Sequence, residues 1–162
     1  MDPYFAPART NLATLYNRMG RNADAERVLR EGVQWTPEQG ELHYSLGLLL
    51  AEDRRLAEAA EALGQAARLL PDRARVRYNH ALALQQLGRR REAEAALLAA
   101  HRLDQGDPQI VYALAVLFAR EELWARALAY AQRLVALTPQ DPAARQLVER
   151  LERQRAVNAP PR

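Results

Sequence analysis

Residues 43–71 read HYSLGLLLAEDRRLAEAAEALGQAARLLP. Two apolar runs flank a polar break at Glu52–Arg55, and each run carries a small residue, Gly47 or Ala59. With Gly40 as slot one of a unit, Leu46 takes slot seven, Gly47 eight, Leu50 eleven, Ala59 twenty, Leu63 twenty-four, Ala66 twenty-seven and Pro71 thirty-two. A step back of 34 residues places Leu12, Ala13, Tyr16, Ala25, Leu29, Gly32 and Pro37 in those slots. A step forward of 34 gives His80, Ala81, Leu84, Ala93, Leu97, Ala100 and Gln105, and one more gives Leu114, Ala115, Phe118, Ala127, Ala131, Leu134 and Pro139. No gap is needed at any step. Antiparallel helices that approach to about 8–10 Å leave no room for large side chains where they cross. The spacing therefore predicts that Ala13, Gly47, Ala81 and Ala115 face Ala25, Ala59, Ala93 and Ala127 across such crossings.

A gapless 34-residue period with small residues at slots eight and twenty and a closing proline resembles the tetratricopeptide repeat over residues 6–141. The resemblance implies an all-α, right-handed superhelical solenoid of antiparallel helix pairs. It divides the chain into repeats 6–39, 40–73, 74–107 and 108–141, a capping helix 142–156 and a loose tail 157–162. Gly20 and Gly88 supply the turns of repeats one and three. Repeat two turns at Glu52–Arg55 without glycine and departs from the family there, and repeat four uses Glu121-Glu122 in its turn, with Trp124 where the family often has an aromatic. Repeat three has Gln105 in place of the closing proline, and Asp107-Pro108 is expected to stop one helix and start the next. The last helix carries Leu147, Val148 and Leu151 on one side and charged residues elsewhere, as a terminal repeat needs.

The N-terminus reads differently. Leu12, Leu15, Tyr16 and Met19 form an amphipathic stripe in the first helix. Asp2-Pro3 sits at the offset where Thr36-Pro37, Leu70-Pro71 and Thr138-Pro139 end other repeats. The chain is therefore expected to be an excerpt of a longer array. Tyr4, Phe5 and part of the Leu12/Leu15 surface would then be open to water. Such an edge favours self-association, unless Tyr4 and Phe5 fold back over it.

Composition narrows the function. Hydrophobic residues make up 49% of the chain, many of them Ala and Leu, which suits packed helices and argues against disorder. The 23 basic residues are all Arg and face 20 acidic ones, for a net charge of only +3. Solvated helix faces laced with Glu–Arg pairs are expected rather than a nucleic-acid surface, although Arg89-Arg90-Arg91 is a local cluster. With no cysteine, disulfides, thiolate metal sites and a Cys nucleophile are excluded. No apolar run approaches the roughly 20 residues that span a bilayer, and residues 1–8 lack the pattern of a signal peptide. Membrane insertion is not expected. The default compartment is the cytoplasm, or the periplasm if the chain belongs to an exported protein.

No chemistry-bearing motif stands out. His43, His80 and His101 share no metal-type spacing, and no phosphate loop or nucleophile motif occurs. No catalysis, cofactor or metal is expected. His80 occupies slot seven, where the other repeats have Leu, and is read as a packed histidine.

The family resemblance carries the functional expectation. In tetratricopeptide arrays the first helix of each repeat lines a concave groove, with slots two, five, six, nine, twelve and thirteen directed into it. Here slot five holds Thr10, Tyr44, Tyr78 and Tyr112, and slot six holds Asn11, Ser45, Asn79 and Ala113. Slot nine holds Thr14, Leu48, Leu82 and Val116, and slots twelve and thirteen include Asn17-Arg18, Glu52, Gln85 and Arg120. The tyrosines offer apolar area with a polar tip, which serves either a binding surface or the helix seams. Asn11, Ser45 and Asn79 form a polar ladder, and an Asn amide can both donate to and accept from a peptide backbone. Asn11, Tyr44, Ser45, Tyr78, Asn79, Gln85, Tyr112 and Arg120 are thus the candidate partner-binding residues. The clamp by which some family members grip chaperone tails is absent, since its positions hold Thr10, Thr14, Tyr78 and Leu82. The implied function is a scaffold that binds a protein or peptide segment in its groove. The alternative is an accessory array in a larger bacterial enzyme or multihaem cytochrome, because Asp2 to Gly32 and Ala74 to Leu97 look similar to arrays fused to such cytochromes.

Overall fold

The computed structural model describes the backbone of residues 5–158 and the side chains of residues 6–158. Every regular element among the described residues is a helix: α1 Phe5–Arg18, α2 Asn22–Trp35, α3 Gly40–Glu52, α4 Leu56–Leu69, α5 Ala74–Gln86, α6 Arg90–Leu103, α7 Pro108–Arg120, α8 Trp124–Leu137 and α9 Pro142–Val157. Helices α2, α4, α6 and α8 each start 34 residues after the previous one, and so do α3, α5, α7 and α9. The chain forms two compact units, residues 1–96 and 97–162, with the division falling inside α6. No helix among the described residues is long and apolar enough to cross a membrane.

One turn device recurs. Gly20, Arg54, Gly88 and Glu122 adopt left-handed backbone, with φ of 72°, 62°, 73° and 58°. Behind each, the next N–H reaches back to a helix carbonyl: Arg21 to Tyr16 at 2.8 Å, and Arg55 to Leu50, Arg89 to Leu84 and Leu123 to Phe118 at 2.9 Å. This Schellman pattern satisfies the last carbonyls of α1, α3, α5 and α7 and reverses the chain. The glycines adopt the conformation freely, whereas Arg54 and Glu122 do so against the steric preference of L residues. The turn is thus dictated by the helix pair and not by glycine alone.

At the other kind of junction, Asp107 and Asp141 accept hydrogen bonds from the backbone N–H groups of Gln109 and Ala143, both at 2.8 Å. Each is followed by a proline at the first helical position, Pro108 or Pro142. The fixed φ of proline and the capping carboxylate start α7 and α9. The Asp107-Pro108 pair starts α7 as expected, but it does not stop α6, which has already ended at Leu103.

In unit 1 the small residues are buried as the crossing argument requires. Ala13, Ala25, Ala59, Ala81 and Ala93 are at most 3% exposed, and Gly47 is buried too. Leu29, Leu42, Leu50 and Leu63 fill the space around them. In unit 2 Ala115 and Ala127 are fully buried among Ile110, Leu114, Phe118 and Leu151. There Arg126 lies 3.7 Å from the centroid of the Phe118 ring, and Phe118 stacks on Tyr130 at 5.6 Å.

The amphipathic stripe of the first helix is largely open to water, at Leu12 and Leu15 where exposure is expected and at Met19 as well. Helix α1 buries Ala6 and Ala13, while Leu12, Leu15 and Met19 are 40%, 53% and 60% exposed. Three of the four stripe residues therefore face water, because no described helix covers that side. Asp2, Pro3, Tyr4 and the Phe5 side chain lie outside the described residues. At the other end α9 buries Ala144, Leu147 and Leu151 and exposes Glu149 and Glu152.

Candidate functional site

Unit 1 opens a hollow of 280 Å³ lined by α1, α2 and α3. Its floor is Ala13, Ala25, Leu29 and Leu49, all buried; its rim is Thr14, Asn17, Arg18, Ser45 and Glu52, with Leu48 beside them. The 3.6-residue repeat of the helix explains the set: Thr14, Asn17 and Arg18 follow one another on one face of α1, and Ser45, Leu48 and Glu52 do so on α3. The Asn17 amide donates to Glu52 at 2.6 Å and ties the two rims together. Arg18 makes no ion pair among the described residues and leaves a free guanidinium at the edge.

Of the residues expected in the groove, Ser45 is the one that lines this hollow. Asn11 is exposed, and Tyr44, Tyr78, Asn79 and Gln85 are half-buried. Tyr44 packs against Ala66, Ala67 and Val76. Its hydroxyl accepts a hydrogen bond from the Asn79 amide at 2.7 Å. Burial pushes the Tyr44 phenol up from its ordinary pKa, with the Asn79 bond pulling the other way. One donor of the Asn ladder is thereby spent inside the protein. Arg75 lies over the Tyr78 ring at 5.4 Å. Arg18, Leu48 and Thr14 belong to the same groove slots but were not among the residues singled out; the slot rule alone was enough to find them.

Unit 2 places Tyr112 and Arg120 together on α7, Tyr112 being 50% exposed. Two hollows adjoin them. One, of 580 Å³, is lined by Tyr112 and by Ala143, Gln146, Leu147, Arg150 and Gln154 of α9, with Glu149 and Arg153 at its edge. The other, of 410 Å³, is lined by Tyr112, Val116, Ala119, Arg120 and Trp124 with Leu147, Arg150, Leu151 and Gln154. The contribution of α9 was missed because that helix was read only as a cap. The signal was present: continuing the 34-residue count gives Ala143, Gln146, Leu147, Arg150, Arg153 and Gln154 as slots two, five, six, nine, twelve and thirteen. Ala113, at slot six of α7, is buried and does not reach either hollow.

Elsewhere the charges are matched. Glu26, Arg30, Glu58 and Arg55 close a ring of ion pairs between α2 and α4, with contacts of 2.6–2.7 Å. The hydrogen bonds from Arg30 and Arg55 hold the Glu26 carboxyl below its ordinary range against the opposing effect of burial. In the Arg89-Arg90-Arg91 cluster, Arg89 pairs with Glu92 at 2.7 Å. The Glu–Arg faces read from composition are therefore present.

The histidines are packing residues. His43 Nε2 lies 2.9 Å from the Pro37 carbonyl oxygen, and His80 sits against Gly64. Burial pushes the His80 and His101 imidazoles below their ordinary pKa. No group of three or more metal-ligating side chains occurs among the described residues.

Solved structures share this architecture. A MamA fragment from Desulfovibrio magneticus RS-1 superposes with a TM-score of 0.83 at 20% identity, over 93% of this chain and 85% of that one. The PilF protein of Pseudomonas aeruginosa gives 0.81 at 24% identity, over 94% and 70%. YrrB, described as a tetratricopeptide protein with an unusual peptide-binding site, gives 0.81 at 16% identity, over 93% and 77%. No curated protein matches at the level of sequence. At these identities the likeness is one of fold. The sequence profile of the tetratricopeptide repeat matches residues 10–74 and 78–142, and this chain belongs to the tetratricopeptide repeat family.

Proposed function

We propose that the chain is a protein-interaction scaffold that takes extended polypeptide segments on the groove-slot faces of α1, α3 and α5 in unit 1 and, separately, of α7 and α9 in unit 2, without chemistry of its own. The repeat division 6–39, 40–73, 74–107 and 108–141 sets which side chains share those faces. The observation that carries the reading is the 280 Å³ hollow of unit 1, whose buried apolar floor and polar rim come from groove slots of two successive helices. A pocket with an apolar floor and a few placed polar groups accepts a side chain and orients its backbone. Asn11 is exposed, Ser45 stands on the rim of the hollow, Tyr112 and Arg120 offer apolar area and charge, and Tyr78 and Gln85 are half-buried at slots five and twelve of α5. Tyr44 and Asn79 shape the surface more than they touch a ligand, since they bind each other.

Peptide phage display against the whole chain, followed by titration of the enriched peptides, tests this. Leu48→Arg fills the unit 1 hollow from its exposed edge and is expected to weaken peptides held there at least about tenfold, with the melting curve unchanged. Arg68→Ala, on α4 away from the hollow, is expected to change nothing. Failure of any peptide to enrich, or equal loss in both variants, removes the groove from consideration.

A further inference from the structure

The α7–α9 face of unit 2 brings two arginines to one hollow. Most arginines here are occupied: Arg30 and Arg55 sit in the ion-pair ring, Arg73 pairs with Glu41 and Arg89 with Glu92. Others bond to carbonyl oxygens, as Arg145 does to Pro139 and Arg77 to Pro71. Arg120 and Arg150 form no ion pair, hydrogen bond or ring contact among the described residues, yet both line the same 410 Å³ hollow. The one carboxylate on the adjoining hollow, Glu149, is answered by Arg153 at 3.7 Å. Two positive charges are left without a partner at the edge of a trough floored by Val116, Ala119, Leu147 and Leu151, with the Tyr112 ring open beside them.

We propose that this trough binds an extended peptide segment that carries acidic side chains next to a large apolar one. The inference rests on the groove reading above and adds the chemistry of the occupant. A guanidinium presents a planar fork of donors that matches a carboxylate in two-point geometry. An apolar side chain laid against Val116, Ala119 and Tyr112 excludes water and strengthens those charge contacts. A peptide supplies both kinds of group along one strand. Nucleic acid fits less well, because its affinity comes from neutralising many phosphates along a basic track, and this face carries two unmatched cations with Glu149 beside them.

The test uses the whole chain and two pools of fluorescein-labelled peptides of about ten residues, long enough to span roughly 33 Å when extended. One pool mixes Glu and Asp with Leu, Phe and Trp; the other replaces Glu and Asp by Gln and Asn. A labelled oligothymidylate is the third probe. Fluorescence anisotropy is read for the unaltered chain and for Arg120→Gln/Arg150→Gln, Arg120→Lys/Arg150→Lys and Arg91→Gln/Arg102→Gln, each checked by circular dichroism. The acidic pool is expected to bind at least about tenfold tighter than the amide pool. That preference should vanish in the Gln pair at Arg120 and Arg150, survive in part in the Lys pair, and persist in the pair that removes equal charge elsewhere. It should also shrink as salt is raised. Equal binding of both pools to the unaltered chain overturns the acidic preference, and the groove reading then stands if Leu48→Arg or Tyr112→Ala still weakens the amide pool. Absence of binding by either pool overturns both. Tighter binding of the oligothymidylate, lost in the Gln pair, overturns the peptide in favour of a nucleic acid.

Discussion

Gly47 lies against Leu63 so closely that a Cβ on Gly47 would sit 2.6 Å from Leu63 Cγ and 3.1 Å from the Leu63 backbone nitrogen. The side-chain contact could be relieved by a rotamer change, but the backbone contact could not without parting α3 from α4. In an open helix, Gly→Ala gains about 1 kcal/mol from reduced backbone freedom in the unfolded chain. Here overpacking costs about 1–3 kcal/mol and opposes it. Gly47→Ala is expected to be neutral to destabilising by up to about 2 kcal/mol in urea unfolding. A gain of stability would show that the helices part freely.

The left-handed turn residues make the opposite prediction. Arg54 at φ 62° and Glu122 at φ 58° hold a conformation that Gly20 and Gly88 hold at no steric cost. Arg54→Gly and Glu122→Gly should each raise stability by about 0.5–1 kcal/mol, the strain relieved being partly offset by the freedom glycine gains in the unfolded chain. Gly20→Ala and Gly88→Ala should lower it by about 1 kcal/mol, although a Cβ at either site meets open space. Thermal melts of the four variants separate backbone strain from packing.

Tyr44 and Tyr112 occupy the same slot and should behave differently. Tyr44 packs against Ala66, Ala67 and Val76 and accepts the Asn79 bond, so Tyr44→Ala is expected to cost about 2 kcal/mol or more of stability. Tyr112 is 50% exposed, so Tyr112→Ala should leave the melting curve within about 0.5 kcal/mol and weaken peptide capture. Equal effects of the two on unfolding would erase the distinction between seam and surface.

Acidification should lower the stability of the chain in two pH ranges. Burial, the largest influence on both rings, lowers the pKa of His80 and His101 below 6.5; Arg89, Arg68 and Arg77 add to the effect on His80 and Arg133 to that on His101, while Glu92 and Asp104 oppose it. The unfolded chain then binds more protons than the folded one just below pH 6.5. Stability is therefore full above that value and declines as the pH falls toward the folded pKa. His80→Leu, which restores the residue type found at slot seven elsewhere, should remove part of this decline. A pH series of urea midpoints that is flat between 7 and about 5 in the unaltered chain would refute it.

The second range belongs to the carboxylates. The bonds from Arg30 and Arg55 lower the Glu26 pKa from 4.5 despite burial, so its contribution is present above that pH and lost as the pH falls through the folded value. Glu26→Gln should cost no more than about 1 kcal/mol at neutral pH, since Arg30, Arg55 and Glu58 are 39–47% exposed, and less in high salt. Urea midpoints at low and high ionic strength measure both effects.

What the sequence determined by itself was the period and its consequences. A 34-residue repeat with Ala or Gly at slots eight and twenty has one physical reading, close helix pairs, because only small side chains fit such a crossing. The same count, carried past Asp141, would have placed Gln146, Leu147 and Arg150 of α9 in the groove. Which residues within a slot are open was decided by tertiary structure. Tyr44 and Tyr112 are identical in sequence and slot, yet one is held by Val76 and Asn79 and the other faces a hollow. Leu12, Leu15 and Met19 have the spacing of a buried stripe and are exposed, because periodicity specifies a shared face and not whether another element covers it. Charge followed the same rule. All 23 basic residues are Arg, and only the placement of neighbouring helices separates those locked in pairs, such as Arg55, from those with no ion pair among the described residues, such as Arg120 and Arg150. An ion pair between residues on different helices depends on through-space distances that spacing along the chain does not contain.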